Sequence, residues 1–362
     1  MSKKVEFHGS DLEKIEKYYG IPKEEIIQFA ANVNPLGLSD SVKKELAAHL
    51  DIISSYPDRS YTSLKQVISL YCGCSPQNVV VGNGSTELIS LLINQRSAKK
   101  ALVLGPTYSE YERELKLTGG LLSYYNLKET DNFILDTEDF INSIPNGTDL
   151  VIICNPNNPT SSAIFQSEME KLVRFCRSRG IFVMIDETYV EFAPDIEQIT
   201  AIPLTKHYDN LMVIRGVSKF FAAPGLRFGY GITSNHEFLS MLLTHQNPWS
   251  LNSIGAFAGE LLLQDSEYID KTRSLILSER TRLYRQFVTL DTFKVYKPYG
   301  NFILLRILKE DVTSFQVFEA AIRKKLMIRD CSSFQSLKGE FVRFCIMKPE
   351  DNERLMNVFK NI

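Results

Sequence analysis

Short apolar runs alternate with amphipathic stretches through the middle of the chain. The runs are Asn78–Val81, Ala101–Leu104, Leu150–Cys154, Ile181–Ile185 and Leu211–Ile214, each bounded by turn-forming or polar residues. Each is too short for a buried helix and fits a buried strand. Between them, Glu87–Asn94 and Ser167–Arg179 place apolar residues at helical spacing. Strands alternating with helices predict an α/β fold with a mostly parallel sheet and helices on both faces. The pattern changes after the long charge-rich helix predicted over Glu267–Thr289. Phe302–Leu308 and Phe341–Ile346 read as strands, Val312–Lys325 and Pro349–Lys360 as helices, which is the α+β pattern of a second, smaller domain. The expected division is an N-terminal helix and arm over 1–35, a large domain over 36–260 and a small C-terminal domain over 261–362.

Composition narrows the class. A hydrophobic content of 44% with 23% charged residues is ordinary for a globular enzyme and excludes wholesale disorder. Lys and Arg total 41 against 43 Asp and Glu, so no bulk charge draws the chain to nucleic acid or acidic membranes. The first twenty residues lack the apolar core of a signal peptide, which predicts cytoplasmic residence. Six cysteines without a knuckle spacing and only five histidines predict structural thiols and no metal centre.

In open parallel sheets, ligands bind outside the carboxyl ends of the strands. The residues that follow the apolar runs are GNGSTE (82–87), GPTYSEY (105–111), NPNNPT (155–160), DETY (186–189) and RGVSKFFAAPGLRFGY (215–230). Gly82, Gly84, Ser85 and Thr86 predict a phosphate cradle, because glycine admits the backbone and a helix N-terminus favours an anion. A dinucleotide fingerprint would need a third glycine where this chain has Glu87. Asp186 closes a buried strand, and Lys219 sits in a loop of small residues. A buried acid, a lysine and a phosphate site are the three needs of pyridoxal phosphate.

These residues resemble the pyridoxal-phosphate enzymes of the aspartate aminotransferase fold type, class I/II. The resemblance runs over nearly the whole chain and keeps motif order. Ser218, Lys219, Gly225 and Arg227 match S-K-x-x-x-x-x-G-x-R, Asn158-Pro159-Thr160 match N-P-T, and Asp186, Glu187 and Tyr189 match D-E-x-Y. The resemblance implies a seven-stranded sheet in the large domain. It implies that Lys219 carries the cofactor and moves protons, and that Asp186 pairs with the pyridine nitrogen. Asn158 and Tyr189 would bind the ring's phenolic oxygen, and Tyr108 would stack on the ring. Gly84, Ser85, Thr86, Ser218 and Arg227 would hold the cofactor phosphate. Tyr56 would reach the phosphate of a neighbouring subunit, which implies a homodimer with shared active sites.

Within the class, the chain resembles the branch of threonine-phosphate decarboxylase and histidinol-phosphate aminotransferase. HGS (8–10), FAANVNPLG (29–37), NPWSLN (247–252) and RDCSSF (329–334) lean toward the decarboxylase, which serves cobalamin side-chain synthesis. The resemblance implies that Arg343 binds a substrate carboxylate and that Arg329 and His8 meet a phosphate. Asn34 and Asn158 would line the same pocket. Gly216, Ser161 and Ser10 depart from the pattern. Decarboxylation of a phosphorylated amino acid is the expected reaction, and transamination of histidinol phosphate is the alternative.

Overall fold

The computed structural model describes residues 7, 9, 11–334 and 336–362. His8 and Ser10 lie outside the described residues. Strand β1 (Ile27–Gln28) is followed by seven strands of the large domain: β2 (Val79–Asn83), β3 (Lys100–Gly105), β4 (Leu121–Asn126), β5 (Leu150–Cys154), β6 (Phe182–Asp186), β7 (Leu211–Gly216) and β8 (Phe228–Ile232). They form one sheet in the order β2-β8-β7-β6-β5-β3-β4. Strand β8 runs antiparallel to both β2 and β7, and the remaining pairings are parallel. The carboxyl ends of β2, β3, β5, β6 and β7 therefore share one edge, and the reversed β8 begins there. Strands β5, β6 and β7 are buried at every position, as continuous apolar runs covered on both faces require.

Two strands of this sheet fall outside the apolar runs. β4 (LLSYYN) is a half-exposed edge strand, so its pattern is diluted by polar residues. β8 (FGYGI) alternates large residues with glycine and reads as loop. Its glycine is required: a Cβ on Gly229 would lie 2.3 Å from the Ser85 nitrogen, so only glycine lets β8 pass beneath the start of the next helix.

The C-terminal part builds on β9 (Phe293–Val295), β10 (Phe302–Ile307), β11 (Leu326–Met327), β12 (Arg329–Asp330) and β13 (Phe341–Cys345). Four of them make an antiparallel sheet in the order β12-β13-β10-β9. The long helix Ser266–Val288 precedes it, capped by Asp265, which accepts from the Tyr268 nitrogen at 3.0 Å. β1 pairs in parallel with β11, so the N-terminal segment is stitched to the C-terminal part of the chain.

A buried ion pair ties the ends of β6 and β7. Arg215 donates through Nε (2.9 Å) and Nη2 (2.7 Å) to Glu187 Oε2, which also accepts from Thr200 Oγ1 at 2.9 Å. Glu187 is thus a structural member of D-E-x-Y. Glu191 is also buried, but its Oε2 has no partner. Burial pushes its carboxyl up to about 7, against the pull of Arg215 and with the help of Glu187. Between the ordinary 4.5 and about 7, the unfolded chain releases a proton that the folded chain keeps, so stability falls as pH rises through this window. Urea unfolding at pH 5 and pH 8 should show a loss on the order of 3 kcal/mol from this group. Glu191→Gln should flatten that slope and be the more stable protein at pH 8. An unchanged slope would show that Glu191 does not titrate in this range.

Candidate active site

The anion cradle forms where β2 passes into the helix Gly84–Arg96. Gly84 has φ +80°, and a Cβ there would stand 2.5 Å from Arg227 Nη2. The guanidinium therefore lies directly over the first turn, whose leading N–H groups have no partner within the helix. Arg227 sits at the start of β8 with φ 52° and donates through Nη1 to the Pro224 carbonyl at 3.2 Å. Ser85 and Thr86 occupy the first turn. From β7, Val217 donates its N–H to the Phe228 carbonyl at 3.2 Å and delivers Ser218 and Lys219 to the same edge.

Lys219 donates through Nζ to the Ala31 carbonyl at 2.8 Å. Burial, then the positive charges of Arg343 and Arg227, brings its amine down to about 8. Asp186 ends β6, in register with Cys154 on β5 and Ile214 on β7. Its Oδ1 accepts from the Thr188 nitrogen (2.9 Å) and the Thr188 hydroxyl, and its Oδ2 accepts from Tyr111 at 2.6 Å. Tyr108 is 40% exposed at the site, and Tyr111 meets its ring edge-on at 5.7 Å between centroids. Tyr189 is buried against Phe302 at 4.9 Å, and its hydroxyl accepts from Asn32 Nδ2 at 3.5 Å.

Arg343, on β13, donates through Nη1 to Asn158 Oδ1 and through Nη2 to the Ala30 carbonyl at 2.7 Å. Its Nε is buried without a partner. Since Asn158 accepts with its oxygen, its NH2 is left to donate elsewhere. Arg329, on β12, is the direct cross-strand partner of Arg343. Residues so opposed share a face with Cβ atoms about 5 Å apart. Arg329 donates through Nη1 to the Phe7 carbonyl and through Nη2 to Ser333 Oγ at 2.7 Å. Burial lowers its pKa below the ordinary value.

The fold thus gathers Gly84, Ser85, Thr86, Tyr108, Asn158, Asp186, Tyr189, Ser218, Lys219, Arg227, Arg329 and Arg343 around one edge. Two expected residues have their side chains engaged elsewhere in this chain. Asn34 spends its NH2 on the Phe220 carbonyl (2.7 Å), Thr272 Oγ1 (2.8 Å) and the Tyr268 hydroxyl (2.9 Å), and its oxygen accepts from the Leu36 nitrogen. Its side chain locks the arm to the helix Ser266–Val288, while its backbone N–H donates to the Lys219 carbonyl at 3.0 Å. Asn32, two residues earlier, reaches Tyr189 and keeps a buried Oδ1 without a partner. Tyr56 is 81% exposed, and its ring lies tilted against Trp249 at 4.8 Å between centroids. Asn32 and Tyr111 lie inside FAANVNPLG and GPTYSEY, where nothing in the pattern singles them out. Their signal is the hydrogen bond each makes to a motif residue.

The residues fit pyridoxal phosphate. Gly84 leaves a backbone cradle that a Cβ would fill, and Arg227 stands over it. Lys219, Arg227, Arg329 and Arg343 bring four positive groups to the site, and each donates to a neutral carbonyl, amide or hydroxyl. Arg343 Nε and Asn32 Oδ1 are buried polar atoms open to a ligand. Such a sheet edge, with a lysine, an acid and an anion cradle, defines a pyridoxal-phosphate enzyme of the aspartate aminotransferase fold. Residues 24–359 match the class I and II aminotransferase family, to which the chain belongs.

The chain is 36% identical to a protein of Caldanaerobacter subterraneus subsp. tengcongensis assigned as a threonine-phosphate decarboxylase, over 92% of this chain and 89% of that one. It is 30% identical to the threonine-phosphate decarboxylase of Salmonella typhimurium, over 98% and 96% of the two chains. The crystal structure of histidinol-phosphate aminotransferase from Clostridium acetobutylicum superposes with a TM-score of 0.85 at 32% identity, covering 92% of this chain and 98% of that one. The chain is therefore an enzyme of the threonine-phosphate decarboxylase and histidinol-phosphate aminotransferase group. No helix among the described residues is long and apolar enough to cross a membrane.

Proposed function

We propose that the enzyme decarboxylates a phosphorylated amino acid of the threonine phosphate type. The observation that carries this reading is the cross-strand pair Arg329 and Arg343, two buried cations side by side at the site. Two such groups suit a substrate with two anionic ends. Threonine phosphate has a carboxylate and a phosphate, whereas histidinol phosphate has no carboxylate. The two relatives assigned as or named threonine-phosphate decarboxylases support the same side.

When bound, pyridoxal phosphate supplies an electron sink for the charge left at the substrate Cα. Lys219 would bind the cofactor through its amine and then hold or return the proton at Cα. Asp186 would face the ring nitrogen and keep it protonated. Asn158 and Tyr189 would hold the phenolic oxygen, and the cradle with Arg227 would hold the phosphate. Arg343 would grip the substrate carboxylate and Arg329 its phosphate. Anchoring both ends fixes the Cα torsion, and the bond perpendicular to the ring is the one that breaks.

The test is product analysis. Threonine phosphate should release carbon dioxide and give an aminopropanol phosphate with no 2-oxo acid present. Arg329→Ala should lower kcat/KM for threonine phosphate about 10- to 150-fold, the cost of one charge-assisted hydrogen bond, and change unphosphorylated threonine much less. Equal losses on both substrates would make Arg329 structural.

The aminotransferase reading has one observation in its favour: the same two arginines suit the two carboxylates of 2-oxoglutarate. Conversion of histidinol phosphate with 2-oxoglutarate, without carbon dioxide from threonine phosphate, would decide for it.

The exposed Tyr56–Trp249 pair, with Arg59 5.6 Å over the indole, supports a homodimer in which Tyr56 serves the partner's phosphate site. Mixing inactive Lys219→Ala with an impaired Tyr56→Ala protein should restore part of the activity. A fully active monomer would rule this out.

A further inference from the structure

Asp186 is held by more than its own loop. Tyr111 lies on the short helix Glu110–Leu117 that follows β3, two strands away from β6 in the sheet. It is fully buried, and its hydroxyl donates to Asp186 Oδ2 at 2.6 Å. Thr188 occupies Oδ1 with its N–H and its hydroxyl. Cys154, the register partner of Asp186, closes the space beside the phenol, its thiol turned to the Pro156 carbonyl at 3.3 Å. The phenol cannot serve as an acid here: burial, then the charge of Asp186, raises its pKa well above the ordinary value, so it remains a neutral donor. Both Asp186 oxygens thus accept from neutral donors held on two separate elements.

We propose that Tyr111 is a positioning residue that fixes Asp186 as an anion and so keeps the shared proton on the cofactor's ring nitrogen rather than on the carboxylate. This rests on the reading of Asp186 as the partner of that nitrogen. Two arrangements of the pair compete, a protonated nitrogen facing a carboxylate and a neutral nitrogen facing a carboxylic acid. A hydrogen bond donated to this side chain stabilises the first more than the second, because an ionised acceptor binds the donor more strongly than a neutral one. Its loss shifts the balance toward the second by about 10- to 150-fold. The electron sink weakens with it, because a neutral ring withdraws less charge from the substrate Cα. The edge contact of Tyr111 on Tyr108 gives it a second task, since it also sets the angle of the ring expected to cover the cofactor.

The experiment loads the enzyme with cofactor labelled with ¹⁵N in the ring and records the nitrogen shift at fixed pH for the native protein, Tyr111→Phe and Asp186→Asn. The native nitrogen should lie near the pyridinium value. In Tyr111→Phe it should move toward the neutral pyridine value, with kcat reduced about 10- to 150-fold and KM changed little. An unchanged nitrogen shift in loaded Tyr111→Phe, with Asp186→Asn shifted, would overturn the role of Tyr111 and leave the reading of Asp186 intact. An unchanged shift in Asp186→Asn, or no cofactor on Lys219, would overturn the underlying reading instead. Should Tyr111→Phe fail to fold, 3,5-difluorotyrosine at position 111 keeps the shape and donates more strongly. It should make Asp186 a weaker acceptor and move the ring N–H proton resonance upfield. A resonance that stays in place would count against the proposal.

Discussion

Lys219→Ala should abolish turnover, with a loss of at least ~10⁴-fold, because one amine both binds the cofactor and moves the Cα proton. The cradle of Gly84, Ser85, Thr86 and Arg227 does not depend on Lys219, so the variant should still take up pyridoxal phosphate without a covalent link. Borohydride reduction of the native holoenzyme should place the label on Lys219, and a label mapped to another lysine would refute the assignment. The site also predicts how covalent capture depends on pH. An ordinary lysine near 10.5 is almost wholly protonated at pH 8, whereas burial and two arginines bring Lys219 to about 8. Half of it is then the reactive neutral amine, roughly two orders of magnitude more than an ordinary lysine offers. Capture of the cofactor by the apoprotein should rise through about pH 8 and level off above it. A rise that continues toward pH 10 would show that the charges around Lys219 do not act as described.

Asp186→Asn should lower kcat by about 10²- to 10³-fold, the usual cost of removing a preorganised charge from a reacting centre. The substitution keeps the shape of the side chain: its oxygen can still accept from Thr188, and its NH2 faces Tyr111, whose hydroxyl can turn to accept, so the melting temperature should change little. Cofactor should still be captured by Lys219, since the phosphate cradle and Lys219 lie on other elements. The loss belongs in kcat rather than KM, because Arg329 and Arg343 are untouched. Asp186→Glu restores the charge but pushes it forward by one methylene into a site fixed by Thr188 and Tyr111, and it should recover only part of the rate. Full activity in Asp186→Asn would reduce Asp186 to a structural residue at a strand end.

Much of the large domain can be read from its residues. Strands β5, β6 and β7 are covered on both faces, so their sequences are almost purely apolar and their ends are sharp. The chemistry-bearing residues follow those ends because a parallel sheet exposes its ligand edge there. β8 hides because its glycines serve neighbours and not the strand itself, Gly229 the first turn of the helix at Gly84 and Gly231 the side chains of Met212 and Val80. β4 hides because an edge strand is only half covered. β12 is two residues long, so no periodicity can announce that Arg329 stands opposite Arg343.

The pair Asn32 and Asn34 shows where local reading stops. Residues two apart in an extended arm share a face, so either could be expected in the pocket. Asn32 has φ 57°, which breaks the extension between them. The arm therefore sends Asn32 toward Tyr189 and Asn34 into the packing against Tyr268 and Thr272.

The sequence by itself determined the class of chemistry, because a lysine, an acid and a glycine-led anion cradle must stand in fixed order at the ends of buried strands. The tertiary structure decided how that chemistry is aimed. The contacts of Tyr111 with Asp186, of Arg343 with Asn158 and of Arg329 with the Phe7 carbonyl join residues 75, 185 and 322 positions apart. Such contacts depend on how separate elements pack, which local periodicity does not encode.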